Sequence, residues 1–267
     1  MSQHPQLPPT LFISHGSPML ALENASTTEF LRGLAAELPK PSAIVVASAH
    51  WETDEPMITG AAHPETIHDF TGFPKELYAL RYPAPGNPVL AHRIHSLLEA
   101  AGFKAGIDPV RGLDHGVWNP LLLMYPKADI SVIELSVQAG RDAHWHYRIG
   151  QALIPLREDN ILIIGTGNLT HNLREAFRGA HSATPSWVTG FAEWVADRVA
   201  ESDIASLLAW QTLAPHAREN HPTSEHFLPF FVALGAAGIP LQSKHLHKDT
   251  ALSVLAMDAY AFGGQNE

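Results

Sequence analysis

The chain has 267 residues, 45% hydrophobic and only 16% charged, the composition of a compact globular protein rather than a disordered or coiled-coil one. Its 17 Lys and Arg stand against 27 Asp and Glu, a formal net charge of -10, which argues against a nucleic-acid partner because phosphate binding needs clustered basic residues. There is no cysteine, so disulfides and thiolate sites are excluded and any transition metal must use His, Asp or Glu; histidine is abundant, at 17.

The first apolar run, TLFISHGSP at 10 to 18, reads as a buried strand delivering His15 to its carboxyl end, where α/β folds keep their chemistry. Residues 26 to 38 predict an amphipathic helix with Ser26 or Thr27 as N-cap and Glu29 in its first turn, stopped by Pro39 and Pro41. AIVVASAHWE, 43 to 52, is a second buried strand finishing on His50, and the β-α-β order favours a parallel pair. A short strand is expected at 56 to 61, then a long loop at 63 to 88 dense in Pro, Gly and aromatics. Residues 87 to 101 predict a helix with Asn87 as cap, Pro88 at its first position and Gly102 beyond its end.

GLDHGVWNP, 112 to 120, reads as a second loop bearing Asp114 and His115. Strands follow at 130 to 137 and 160 to 165 with a helix at 142 to 157 between them, and the later strand runs into GTGNLTHNL, so that His171 arrives just past its end. Residues 186 to 200 place Trp187, Phe191, Trp194 and Val195 on one helical face, the pattern of core. Helix continues over 203 to 210 and again over 223 to 237 with His226 in the first turn, and strands at 241 to 246 and 252 to 260 close the sheet. The expected fold is α/β, a single domain over 1 to 267 with a central mixed, mainly parallel sheet flanked by helices. The N-terminus lacks a signal-peptide pattern and no apolar segment is long enough for a bilayer, which reads as a cytoplasmic protein with no membrane contact.

His15 and His50, at the ends of neighbouring strands, either converge on a divalent metal or cap their strands. His171 and His115 sit among glycines, where backbone can approach a ligand closely. His226 lies beside Glu225, and since consecutive helical residues point about 100° apart, only one faces the site; spacing does not choose. Asp69 and Asp114 either orient a histidine or form turns. His245 and His247 read as an exposed pair, and His144, His146, His181, His216 and His221 as surface residues. Nucleophile-elbow, HExxH and Walker patterns are absent, and GTGNLT departs from a dinucleotide fingerprint at Thr170.

Five ordered motifs, SHGSPM, SAHWE, GLDHGVWNPL, GTGNLTHNL and SEHFLPFFVALGAAG, together resemble the class III extradiol ring-cleavage dioxygenases, most nearly their 4,5-DOPA dioxygenase extradiol group. HDFTGFP and LRYPAPG, around His68, Asp69 and Tyr82, are similar to the same group and imply that those three bind substrate. The resemblance implies one divalent non-haem metal, Fe(II) for activity and Zn(II) as often recovered. His15, His50 and His226 would be its ligands, with His171 as acid-base catalyst and possible fourth ligand. His115 would be a second catalytic histidine handling substrate or oxygen. The implied partners are a DOPA-like catechol and O2, opened to a muconic semialdehyde. Protocatechuate-type members use a glutamate as third ligand; here His226 stands in the motif with Glu225 beside it. A Memo-like metal-binding or signalling module and a zinc-dependent hydrolase are the alternatives, and the oligomeric state is not readable.

Overall fold

The computed structural model describes residues 7–178 and 183–263. Ten strands occur in it: β1 (Thr10–Ser14), β2 (Ala43–Glu52), β3 (Met57–Thr59), β4 (Gly106–Asp108), β5 (Ser131–Val137), β6 (Ile161–Gly167), β7 (Ser243–His247), β8 (Thr250–Ala251), β9 (Leu255–Ala256) and β10 (Ala259–Phe262). Eight of them form one sheet in the order β4-β3-β5-β2-β6-β1-β10-β7, while β8 and β9 make a separate small hairpin. The centre, β5-β2-β6-β1, is parallel throughout, and antiparallel pairs begin where β3 joins β5 and β10 joins β1. This is the mixed, mainly parallel sheet expected.

The period-2 alternation of side chains divides the core. Leu11, Ile13, Ile44, Val46, Val132, Leu162 and Ile164 face one way, against α1 (Ser26–Leu34) and, further along the chain, α4 (His115–Met124). Between those two helices come α2 (Lys75–Ala79) and α3 (Pro88–Ala100). Val45, Ala47, Ile133, Leu135, Ile161 and Ile163 face the other way, against α3 and α5 (Ala143–Leu153). The rest of that layer comes from the C-terminal third: α6 (Leu173–Phe177), α7 (Ser186–Ala200), α8 (Ile204–Leu208), α9 (Trp210–Leu213), α10 (Ala217–Asn220) and the fully buried α11 (Leu228–Ala236). Phe191 and Val195 of α7 are core as expected, while Trp187 and Trp194 pack partly buried at its margin. A parallel sheet covered on both faces explains why its strands are continuous apolar runs.

Several expectations are corrected. β1 and β2 are not neighbours: β6 lies between them, pairing Ser14 with Gly167 and Ser48 with Thr166. Residues 112 to 120 are not loop; from His115 they are the first turns of α4, capped by Asp114 Oδ1, which accepts from Gly116 N at 3.0 Å. Burial on nearly every side removes the polar face that marks a helix in sequence, and Gly116 and Pro120 imitate a loop. The N-cap of α1 is Ala25, without a side-chain hydrogen bond, because Ser26 Oγ binds Asp249 instead. His226 lies in the turn before α11 rather than inside it, and helix 203 to 210 breaks at Ala209. Residues 252 to 260 contribute only β9 and the start of β10. His146 and His221 are buried, not surface, and His181 lies outside the described residues. His245 is exposed as expected, stacked on Tyr260 at 4.4 Å between ring centroids, whereas His247 is half-buried, stacked on Phe30 at 4.6 Å. Among the described residues no helix is long and apolar enough to cross a membrane.

Candidate active site

The parallel centre ends at one edge, and five histidines meet there. The pairing of Ser14 with Gly167 and of Ser48 with Thr166 puts His15 and His50 level with each other, on strands two apart. Their rings close that gap over β6, so that the two Nε2 atoms face each other at 2.9 Å. Two glycines make this possible. Gly16, at φ 62°, turns the chain left-handed just after His15, and its N–H donates to Asn168 Oδ1 at 2.9 Å. At Gly167 a Cβ would lie 1.9 Å from the carbonyl oxygen of His226; its absence lets the 226 turn rest on the strand end. That contact is fixed by the Asn168 N–H donating to the same oxygen at 2.9 Å.

His226 therefore enters from the α11 face, and His115 enters from the opposite face at the start of α4. Their ring centroids lie 4.9 and 3.9 Å from that of His50, and His171 stacks on His226 at 3.4 Å and 10°. Ligand-capable atoms of His15, His50 and His115 all fall within 4.8 Å of one another, as do those of His171, Glu225 and His226. The sequence-predicted metal and catalytic residues are thus all brought together.

Each incoming imidazole is held by a carboxylate. Asp69 accepts the His115 backbone N–H at 2.9 Å through one oxygen and its Nδ1–H at 2.8 Å through the other; His50 Nδ1 is 3.4 Å from the latter. Burial works against ionisation of Asp69, but the hydrogen bonds and charge of His115 outweigh it and hold the carboxyl at about 2. The loop carrying Asp69 is tied to α4, since Ile67 N donates to Leu113 O and Trp118 Nε1 donates to Ile67 O, both at 2.8 Å. On the other side Glu225 Oε1 accepts from His226 Nδ1 at 2.9 Å and from Thr223 Oγ1 at 3.0 Å. This decides what spacing left open: the imidazole faces the cluster and the carboxylate orients it.

A buried ionic layer supports the His50 and His115 side. Arg111 donates to Glu134 Oε1 and Asp114 Oδ2, Glu134 Oε2 accepts the Asp114 N–H, and Ser48 Oγ donates to Asp114 Oδ1 at 2.7 Å. Burial, reinforced by Asp114, pushes the Glu134 carboxyl well above its usual range. Glu134 and Arg111 were missed; the signal was a lone acid within the apolar run ISVIELSV. His68 is half-buried against Phe70, Tyr78 and Trp118, with Phe70 edge-on to His115 at 5.5 Å. Tyr82 departs from its expected substrate-facing place: it is 1% exposed, packed in the core, and its hydroxyl donates to Tyr125 O at 3.2 Å.

The electrostatics suit a metal. Burial first, and the mutual repulsion of neighbouring rings second, lower His50 to about 4 and His171 to about 3, and put His15 and His226 well below the ordinary imidazole value. All four are neutral at pH 7 and keep their lone pairs. His15 Nδ1 is buried with no partner among the described residues. The facing Nε2 atoms of His15 and His50, together with His226, whose Nδ1 is held by Glu225, offer neutral imidazole nitrogen to a cation, a donor set that fits Fe(II) or Zn(II).

The family model of the catalytic LigB subunit of aromatic ring-opening dioxygenase matches residues 9–262. A 4,5-DOPA dioxygenase extradiol of Beta vulgaris is 41% identical over 266 residues, covering 98% of this chain and 99% of that protein. A protein of the same description from Escherichia coli (strain K12) is 40% identical over 240 residues, 85% of this chain and 84% of that one. A crystal structure of an uncharacterized Escherichia coli K12 protein superposes with a TM-score of 0.81 at 34% identity, covering 96% of this chain and all of that one. Matched over nearly its whole length, the chain belongs to the LigB family and is an extradiol aromatic ring-opening dioxygenase.

Proposed function

We propose that the chain opens the ring of a catechol, DOPA or a close analogue, with O2 at one divalent metal held by His15, His50 and His226. The observation that carries this reading is the facing Nε2 pair of His15 and His50 beside an imidazole whose Nδ1 is held by Glu225. When bound, Fe(II) supplies Lewis acidity that favours the ionised diol and a redox path by which ring electrons reach O2.

His171 accepts a phenolic proton. What supports this role is position: the His171 ring stacks on His226 at 3.4 Å, beside the proposed metal ligands, and the proton it takes is returned when the O–O bond breaks. His115 is the second proton handler, because the Asp69 carboxylate on Nδ1 fixes its tautomer and leaves Nε2 free to exchange a proton. Phe70, with His68 behind it, walls the ring of the substrate, and Tyr82 supports that wall from the core. Both atoms of O2 enter the product, the carbon–carbon bond beside the diol is cleaved, and a muconic semialdehyde results.

The test is anaerobic loading with Fe(II), then addition of a catechol series and O2. Oxygen uptake with a yellow product is expected. Absence of uptake across the series, or metal-dependent ester hydrolysis without O2, refutes the reading.

A further inference from the structure

His221 is a buried histidine that proton transfer through His171 and His115 leaves unused. It follows α10, and its ring lies in an aromatic pocket, stacked on Phe227 at 5.1 Å and 19°, with Phe191 and Trp210 each 5.4 Å away. Burial lowers it to about 4, so the imidazole is neutral at pH 7. Its Nε2 is 2.8 Å from Leu169 O, and since a carbonyl only accepts, the one ring proton sits on Nε2. Nδ1 is buried with no partner among the described residues. A phenyl ring would fill this pocket without an unpaired acceptor, so what the imidazole adds is the donor.

The Leu169 carbonyl is one rung of a short ladder. Three contacts pair Leu169, His171 and Asn172 with His221, Asn220 and Glu219, in opposite chain order. The His171 N–H donates to Asn220 O at 3.0 Å, and Asn172 Nδ2 donates to Glu219 O at 2.7 Å. The far side of the ladder is anchored, because Asn220 Nδ2 donates to Trp187 O in the first turn of α7 at 2.8 Å. His171 needs such outside support. His115 and His226 have carboxylates on Nδ1, and His15 and His50 face each other, whereas among the described residues the His171 ring has no hydrogen bond and only its stacking on His226. Its placement therefore follows its backbone, which the ladder holds.

We infer that His221 is a positioning residue for ring opening: by holding the Leu169 carbonyl it fixes the loop that carries His171 and keeps that imidazole in place to take and return its proton. It acts through His171 and not on the reacting atoms. The inference rests on the proton-transfer reading of His171 proposed above. A displacement of about 1 Å at a reacting group costs up to about 100-fold in rate, so loss of a rung should appear in kcat and not in metal affinity or KM.

Steady-state oxygen uptake by the Fe(II)-loaded protein with a catechol tests this, with metal content by elemental analysis and urea unfolding measured alongside. His221→Phe keeps the aromatic packing and removes the donor; it should lower kcat about tenfold, with metal content and KM within about twofold of the parent. His221→Gln, whose amide nitrogen replaces the Nε2–H, should hold kcat within about threefold of the parent even if it is the less stable variant. In a His171→Ala background, His221→Phe should have no further effect, because both changes act through one group. Parent-like kcat in His221→Phe with loss in His221→Gln, an equal loss in both backgrounds, or metal loss that matches the fall in kcat overturns the inference. Asn172→Asp keeps the cap on Glu175 N and removes a second rung, so it should lower kcat in the same sense. It decides the matter if His221→Phe does not fold, and parent-like kcat in it then overturns the inference. His171→Ala with kcat near that of the parent removes the proton-transfer reading itself, whereas an equal loss in both backgrounds, with His171→Ala slow, removes the role of His221 alone.

Discussion

His50, half-buried, and His146, fully buried, are both imidazoles lowered to about 4 by desolvation, yet they sit in regions of opposite character. At the start of α5, His146 donates from Nδ1 to Asp142 O at 2.8 Å and accepts at Nε2 from Gln138 N at 3.0 Å, so both nitrogens are satisfied by backbone. At the sheet edge, His50 points Nε2 at another Nε2, and its Nδ1 has only a 3.4 Å approach to Asp69. Burial and a depressed pKa are common to structural and chemical histidines. What separates them is whether the acceptors are already occupied by the protein or converge on a space that a ligand fills.

The strongest way to break this comparison is to truncate one histidine of each kind. His50→Ala should weaken metal binding by at least about 100-fold, since the loss of a mere orienting partner already costs up to that much. His146→Gln should leave metal content, measured by elemental analysis, unchanged. Equal metal loss in both would erase the distinction. His171→Ala should retain metal and lower kcat/KM on a catechol by at least about 100-fold, the low end of what a positioned acid-base group contributes. Turnover within a few-fold of the parent would remove His171 from proton transfer.

Acid titration probes the same contrast through stability. His146 is lowered from 6.5 to about 4 by burial, against the raising effect of Asp142, so the unfolded chain binds the proton more tightly than the folded one. Its stabilising share is complete above about pH 6.5 and is lost as pH falls through about 4, amounting to about 3 kcal/mol. Urea unfolding of the metal-free protein should therefore show less acid loss over that window in His146→Gln than in the parent, even though the variant is less stable at pH 7. Parallel curves for the two would mean that His146 is not held neutral by the fold.

How much of this was legible depends on where the information lies along the chain. The strand ends carrying His15 and His50 were readable because β-branched runs stopping at a histidine are local. Their true arrangement was not, because β6 inserts between β1 and β2 from more than 100 residues away. Asp69 and Glu225 were visible as acids near histidines. Whether they orient a ring depends on a long loop that must fold onto α4 and on a turn whose direction is set by contact with Gly167. The site histidines were recognised through motif order, whereas the orientation of each ring and the Arg111–Glu134 layer beneath them are properties of tertiary packing. Asp69→Asn tests one such property. It should cut turnover about tenfold by freeing the His115 ring, with metal affinity unchanged if His115 moves protons. A matching fall in metal affinity would instead make His115 a ligand alongside His15 and His50.

The smallest expected effect comes from the residue whose placement departs most from the sequence reading. Tyr82 carries a hydroxyl near the substrate loop, which in sequence resembles a substrate contact. In the fold the side chain is buried with Leu77 and Trp118, and its one donor is occupied by the Tyr125 carbonyl. By the criterion that separates His146 from His50, an occupied group supports and does not react. Tyr82→Phe keeps the ring and the packing and removes only that hydrogen bond, while the Tyr125 carbonyl still accepts the Ala128 N–H at 3.0 Å. The expected cost is about 1 kcal/mol of stability by urea unfolding, with kcat/KM on a catechol within about twofold of the parent. A kinetic loss of tenfold or more with unchanged stability would reverse the assignment, returning the hydroxyl to the substrate and showing that an occupied donor in this loop can be released during turnover.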